Sequence, residues 1–385
     1  MDNSVTHILT LSLVVVLSPY FSKIFKLPPA PIEIIIGAVL AFFGLLDSTL
    51  GDFSLIAHVG FLYLMFLAGL EVNLNAFLKF SKVYIMAAAY FLLVLWGGAV
   101  LFGIFFHLNT IVIVSLPLIS LGVLATLSND YGKSADWIKV AFLVGTIGEV
   151  ISIAALTVLE VSVSVGFGVE LIQKFVLLVV FLGTVVALYY LFKVIFWWYP
   201  EFKSTLMPKE DGKYQDLRLS IGLFFIMIAI MKLLHLELVF GAFVAGLFIS
   251  TFFHHKTILE DKMSSFGFGF LVPIFFIYVG ASFDLQQLVD NKVLSSALVI
   301  LLIMFGSRIL ASYTLSALLG QKKALLTGFS LAMPLTLMIA VATVGKDKNL
   351  IDAHDYYAMI FASLLEVIIS MIIIKLMVKS LKTIP

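Results

Sequence analysis

Four ionisable residues stand inside long apolar stretches of the sequence: Glu33, Glu149, Arg308 and Glu366. A charge in the middle of a membrane costs about 2.5–3.5 kcal/mol even on insertion scales, and such side chains usually face a bundle interior and serve a function. Glu149 and Arg308 lie well inside their stretches. If the two pair, each offsets part of the other's cost. The alternative is a buried salt bridge that only fixes helix register, but such a bridge stabilises a fold less well than apolar packing does.

The chemistry open to Glu149 is the binding of a proton or of a small cation, because one carboxylate cannot hold both well. If it faces the two sides of a membrane in turn, this competition couples proton movement to cation movement. Arg308 is effectively always protonated, so it can act as a counter-ion but cannot carry the transported proton. Gly145 and Gly148 thin the helix beside Glu149 and leave room for a neighbouring helix or a hydrated ion.

The other two carboxylates are secondary candidates. Glu33 follows the segment "LPPAP" near the start of its apolar stretch. A carboxylate there is favoured by the helix dipole or by the membrane interface, without any role in binding. Glu366 lies in the middle of "FASLLEVIISMIII". Packing, a subunit contact and a secondary proton site are three open roles for Glu366.

The composition is that of a helical membrane protein. Of the 385 residues, 62% are hydrophobic and 12% are charged, whereas soluble domains carry about 25% charged residues. The absence of cysteine excludes disulfides and thiolate metal sites. The sequence has no nucleophile–base constellation and no His-Glu-x-x-His spacing. We therefore expect no enzyme, no cofactor, no nucleic-acid partner and no metal beyond a transported ion.

The apolar runs predict an all-α polytopic protein, because runs of roughly 17–25 residues can cross the hydrocarbon core as helices. We predict thirteen spans, which lie near 6–22, 30–46, 54–70, 83–106, 110–128, 137–159, 171–195, 217–234, 237–252, 264–281, 293–319, 324–345 and 356–378.

The basic residues predict the orientation of these spans. With the N-terminus outside, the cytoplasmic loops collect 18 Lys and Arg residues and the outer loops 5, and Arg308 inside the membrane completes the 24. This positive-inside bias places the C-terminus in the cytoplasm. The protein is therefore expected to be a multi-pass protein of the cell inner (plasma) membrane.

A polar connection in the middle of the chain divides it into two halves. We predict one domain over 1–385, with halves at about 1–196 and 217–385 and a cytoplasmic linker at 197–216. Such a linker often joins the two halves of a transporter built from repeats.

Each half also carries an apolar span that helix-breaking or hydroxyl residues interrupt, at 121–132 and 331–345. Paired broken helices are typical of ion sites at the midplane of transporters. The residues that mark them are Thr126 and Ser128 in the first half and Pro334 and Thr336 in the second. The alternative is that proline and threonine are simply common in membrane helices.

Three segments resemble a known family. "HVGFLYLMFLAGLEVNL" (58–74), "FGAFVAGLFIS" (240–250) and "PIFFIYVGASFDL" (273–285) occur in the order and at the spacing of its signatures. They are similar to the monovalent cation:proton antiporter superfamily, in its sodium/hydrogen-exchanger-type transmembrane domain. The branch with glutathione-gated potassium efflux systems and bacterial sodium/proton antiporters looks closest, and the resemblance covers nearly the whole chain.

The resemblance implies a fold and a site. The implied fold has two inverted repeats with broken helices, which form a core domain and a dimerisation domain, and the implied assembly is a homodimer. The family's adjacent polar pair matches Gly148-Glu149, so the essential carboxylate carries over to Glu149 and the first polar position is lost. The family's basic residue matches Arg308. Its broken-helix polar residues correspond to the surroundings of Thr126, Pro334 and Thr336.

The function that follows is secondary active antiport of Na⁺ or K⁺ against H⁺ by alternating access. Glu149 would bind cation or proton in turn, and a single essential carboxylate favours electroneutral, one-for-one exchange. The chain ends soon after its last span, so no cytosolic regulatory domain is expected. Two alternatives stay open: a passive cation channel of the same fold, and a transport-inactive membrane sensor or assembly protein.

Overall fold

Each regular element in the computed structural model is a helix, within the residues that the structure describes. Those residues are 3–25, 29–71, 81–121, 124, 127, 131–132, 135–165, 169–199, 201, 214–234, 238–253, 257–282 and 291–382. The prediction of an all-α polytopic protein is confirmed. Seven helices in this part of the chain are long and apolar enough to cross a membrane.

The described part of the first half is built from helices. They are α1 (Asn3–Phe25), α2 (Pro29–Phe42), α3 (Gly51–Glu71), α4 (Lys82–Phe105), α5 (Thr110–Ser115), α6 (Asp136–Val165) and α7 (Val169–Trp198). Asn109 caps α5, because its side chain accepts a hydrogen bond from the amide of Ile111 at 3.0 Å.

The second half continues in the same manner. It contains α8 (Gln215–Leu233), α9 (Leu238–Phe253), α10 (Thr257–Phe266), α11 (Val272–Ala281), α12 (Asn291–Ser312), α13 (Ser316–Leu319), α14 (Gln321–Ser330), α15 (Leu335–Asp347) and α16 (Ala353–Lys382). A π-helical turn, Gly267–Leu271, joins α10 to α11, and a 3₁₀ turn, Tyr313–Leu315, joins α12 to α13.

Two predicted spans are shorter than expected, because each contains an interruption in the helix. The span predicted at 110–128 leaves helical structure after Ser115, and the span predicted at 324–345 is split between Ser330 and Leu335. Proline accounts for both interruptions. Pro117 and Pro334 lack the amide hydrogen that a continuing helix needs.

The chain forms two compact units. The first consists of Met1–Ser54, Lys79–Leu156 and Phe276–Pro385, and the second of Leu55–Leu78 and Thr157–Phe275. In the first unit α12 packs against α4, α14 and α16, and α15 packs against α5 and α16. All four intramembrane charges lie in this unit.

In the second unit, glycines of the motif segments bring helix backbones into contact. A Cβ atom on Gly69 of α3 would overlap the carbonyl oxygen of Phe243 on α9. A Cβ on Gly246 of α9 would in turn overlap the carbonyl oxygen of Phe66 on α3. The glycines of "FLAGLE" and "GAFVAG" are therefore required for the close approach of these two helices, as small residues at membrane helix contacts commonly are.

Replacing Gly246 by Ala is expected to destabilise the protein by about 1–3 kcal/mol, the usual cost of overpacking a tight contact. The measurement is the melting temperature in detergent. Gly222→Ala on α8 is the matched control, because a Cβ there meets no atom within 4 Å. Alanine should stabilise that position slightly, since glycine inside a helix costs about 0.5–1 kcal/mol. Equal melting temperatures for the two variants would contradict the close contact.

Candidate functional site

At the two interruptions in the first unit, backbone N–H and C=O groups lack the hydrogen bonds that a continuous helix would give them. The first runs from Leu116 to Leu121, directly after α5, and the second from Leu331 to Pro334, between α14 and α15. Every described residue of both stretches is buried. Buried backbone groups need hydrogen-bond partners, and side chains from α6, α12 and α16 provide several of them.

Glu149 of α6 is fully buried beside the first interruption. Its Oε1 accepts a hydrogen bond from the amide of Leu121 at 3.4 Å, and the side chain of Ser120 also bonds to the carboxylate. Its Oε2 has no hydrogen-bond partner among the described residues. The carboxylate therefore keeps a free oxygen atom in a buried site.

Gly145 and Gly148 allow the first interruption to approach α6 closely. A Cβ on Gly148 would overlap the side chain of Ile119, and a Cβ on Gly145 would come within 2.5 Å of a methyl group of Leu121. The space that the sequence predicted beside Glu149 is thus filled by leucine and isoleucine side chains of the interruption. Gly148 contributes no side-chain ligand, and its carbonyl accepts a hydrogen bond from Ser152 at 2.7 Å.

Ser152 is a site residue that the sequence analysis missed. Its hydroxyl accepts a hydrogen bond from the amide of Ile119 at 3.0 Å while donating to Gly148 within its own helix. The available signal was its position one turn after Gly148, on the helix face that carries the glycines. Ser152 and Glu149 together therefore bind two amides of the first interruption.

Arg308 of α12 connects the two interruptions. Its guanidinium, 1% exposed, donates to the carbonyls of Leu116 at 3.1 Å and Leu118 at 2.7 Å in the first, and to Leu331 at 3.5 Å in the second. It also donates to Met304 within α12 at 3.1 Å. A planar guanidinium with five donors suits this arrangement in a way that a lysine ammonium does not.

The ion pair of Arg308 is with Glu366 of α16. Its Nη1 lies 3.3 Å from Oε1 of Glu366, and both side chains are buried. The mutual pairing considered for Glu149 and Arg308 is thus not what the structure shows. The two residues do meet at the same interruption, where Arg308 binds its carbonyls and Glu149 binds one of its amides.

The remaining candidates are placed as follows. Glu33 accepts a hydrogen bond from Ser18 at 2.9 Å, which links α2 to α1. Pro334 is buried and precedes α15, and the backbone of Thr336 is helical within α15. Thr126 and Ser128 lie outside the described residues. Glu149, Arg308 and Glu366 are therefore the ionisable candidates that the structure groups around the interruptions.

Comparison with known proteins adds the evolutionary context. A family model described as "Sodium/hydrogen exchanger, transmembrane" matches residues 10–380. A putative Na(+)/H(+) antiporter of Bacillus subtilis, YjbQ, is 28% identical over 98% of the chain, and the chain spans 63% of that relative's length. A probable Na(+)/H(+) antiporter 3 of Methanocaldococcus jannaschii is 23% identical over 94% of the chain and 93% of that protein.

A solved structure shows the same fold. It is the sodium proton antiporter MjNhaP1 from Methanocaldococcus jannaschii, which superposes with a TM-score of 0.69 at 16% sequence identity. The match covers 97% of the present chain and 99% of the MjNhaP1 chain. At this identity the match concerns the fold alone.

Proposed function

Because the chain belongs to the sodium/hydrogen exchanger family, we propose that it is a secondary active antiporter that exchanges a monovalent cation, Na⁺ or K⁺, for H⁺. Glu149 binds the cation or the proton in turn. The observation that supports this most directly is a fully buried carboxylate that, within the described residues, has one oxygen atom free and no ion-pair partner.

The pairing of Arg308 with Glu366 strengthens the proposal. An arginine held against Glu149 would occupy the place of a cation and satisfy the carboxylate permanently. Here the arginine has another carboxylate as its ion-pair partner. Glu149 is thus left to bind a mobile charge, and a buried carboxylate without such a charge is costly enough to favour binding one.

Cation and proton would compete for the same carboxylate. Carboxylate, carbonyl and hydroxyl oxygens are the ligands that small hard cations prefer, and Glu149 supplies the carboxylate while Ser120, which bonds to it, supplies a hydroxyl. One carboxylate that carries one cation in one direction and one proton in the other gives electroneutral exchange.

The wider arrangement is part of the same proposal. The N-terminus lies outside and the C-terminus in the cytoplasm of the plasma membrane, the chain forms a homodimer, and two inverted repeats build a moving core and a dimerisation domain. Alternating access then brings Glu149 to each side of the membrane in turn. The excess of Lys and Arg in alternate loops supports the orientation.

The test is proton movement in liposomes that contain the purified protein and an internal pH dye. With a proton gradient imposed, addition of Na⁺ or K⁺ is expected to collapse the gradient, and Li⁺ and Rb⁺ in parallel samples define the ion preference. Cation flux without obligatory proton movement would instead identify a channel. No response to any of the four cations, in protein that is folded, would refute transport.

A further inference from the structure

The buried carboxylate of Glu366 has no role in the exchange as proposed so far. It lies in the middle of α16, fully buried, and neither of its oxygen atoms has a hydrogen-bond partner among the described residues. A buried acceptor without a donor costs about 1–3 kcal/mol, and more when it is charged. A side chain with this free-energy cost is expected to have a function.

Hydrogen bonding does not supply that function. The donors of Arg308 are directed at the carbonyls of Leu116, Leu118, Leu331 and Met304, so backbone atoms hold the guanidinium in place. Glu366 approaches Nη1 at 3.3 Å as an ion pair and makes no hydrogen bond with it. Glu366 therefore contributes a negative charge, whereas the backbone carbonyls hold the arginine in position.

Counting charges shows what that contribution changes. Arg308, Glu366 and Glu149 are the most deeply buried charged side chains in the described part of the chain, each at 1% exposure or less. With Glu366 ionised, their formal charges sum to minus one, which one monovalent cation or one proton cancels. Without Glu366, Arg308 and Glu149 cancel each other, and the empty site needs no cation.

The other deeply buried acids of the described residues, Glu33 and Asp216, have other partners. Glu33 is bonded to Ser18 between α1 and α2. Asp216 belongs to the other compact unit, where Lys262 pairs with it at 3.1 Å. Among the described contacts, neither acid pairs with Arg308.

We propose that Glu366 is the counter-charge of Arg308, and that it sets the net charge of the buried site so that Glu149 takes up a single monovalent cation. The proposal rests on the proposed antiport at Glu149 and adds a second, non-transporting carboxylate to it. Glu366 acts through the charge of Arg308 and does not contact the cation, so it is not itself an ion-binding residue.

The test compares Glu366→Gln with wild type in liposomes and in detergent. With the arginine charge uncompensated, the apparent KM for Na⁺ or K⁺ is expected to rise about tenfold or more, as a unit charge acting through a protein interior would cause. The concentration of cation that raises the melting temperature should increase in parallel. Glu366→Asp, which keeps the charge, is expected to stay close to wild type.

Two further variants separate charge from structure. Ser363→Ala is the matched control on the same helix, because Ser363 is buried and its hydroxyl bonds only to Ile360 within α16 in the described contacts. It should leave KM unchanged. The double variant Arg308→Gln with Glu366→Gln restores a net charge of minus one, and its cation midpoint in the melting assay should return toward the wild-type value.

The outcomes are distinct. If wild type is active and Glu366→Gln shows an unchanged KM and an unchanged cation concentration at the midpoint of thermal stabilisation, the role of Glu366 as counter-charge is overturned. If Glu366→Gln does not fold, equal weakening in Glu366→Asp and in the double variant would overturn it as well. Wild-type protein that neither transports nor is stabilised by any cation would refute the proposed antiport itself.

Discussion

Glu149→Gln is expected to abolish cation-driven proton movement, with traces equal to those of protein-free liposomes. The variant keeps the shape of the side chain and removes its charge. At a separation of about 4 Å and an effective dielectric constant of about 20, that charge attracts a monovalent cation by about 4 kcal/mol. This corresponds to a factor of about 1000 in affinity, and the amide side chain also has no titratable proton to exchange.

Glu33→Gln is the matched control for this variant. It too is a buried carboxylate on a helix of the first unit, but its hydrogen-bond partner is Ser18 of α1. We expect it to retain exchange. Full exchange by Glu149→Gln would contradict the assignment of the ion site, and an equal loss in both variants would show that any buried carboxylate of this unit is required for folding.

Glu149→Gln should also lose the stabilisation by cations that wild type shows in the melting assay. Binding to the native state raises stability in proportion to the logarithm of ligand concentration over the dissociation constant. The variant's melting temperature should therefore no longer depend on Na⁺ or K⁺ concentration. This readout requires no transport, so it distinguishes loss of binding from loss of movement.

Much of the fold could be predicted from the sequence, because membrane spans are a matter of length and hydropathy. The interruptions were harder to place. The first was predicted at 121–132, most of which lies outside the described residues, whereas the structure already has a non-helical stretch at Leu116–Leu121. Pro117 was the available signal, but the surrounding "VIVSLPLISLG" is apolar enough to look like a continuous span. Hydropathy alone does not separate an extended buried segment from a helix.

The partner of Arg308 could not be predicted at all. Three carboxylates lie inside membrane spans, and helical periodicity gives the face that each occupies on its own helix only. Which carboxylate meets the arginine depends on how α12 packs against α16 and on the course of the interruption. The structure therefore changes the interpretation of Glu366 from a secondary candidate to the ion-pair partner of Arg308.

Gly148 shows the same limit in a different way. The sequence comparison presents it as a missing polar ligand, and a missing ligand weakens a site. In the structure the absence of a side chain is what lets Ile119 pack beside Glu149. The amides of the interruption can then reach Ser152 and Glu149. Such a role depends on distances between segments that lie far apart in the sequence.

Arg308→Gln is expected to cause the largest loss of stability of any single substitution considered, because it affects both interruptions and Glu366 together. Removing one partner of a buried ion pair costs about 3–5 kcal/mol. The carbonyls of Leu116, Leu118 and Leu331 lose their donor in the same step. The measurement is the melting temperature in detergent, with the fraction of monodisperse protein after size-exclusion chromatography as a second readout.

Arg218→Gln is the natural control, since Arg218 is the other arginine in the chain and lies exposed on α8. Surface substitutions of this kind usually change stability by less than about 0.5 kcal/mol.

The double variant Arg308→Gln with Glu366→Gln should be more stable than Arg308→Gln alone, because it removes the uncompensated carboxylate. It should remain less stable than wild type, because the three carbonyls stay without the guanidinium. If the double variant is no more stable than the single one, the hydrogen bonds from Arg308 to the backbone carbonyls, and not its ion pair with Glu366, account for most of its contribution to stability.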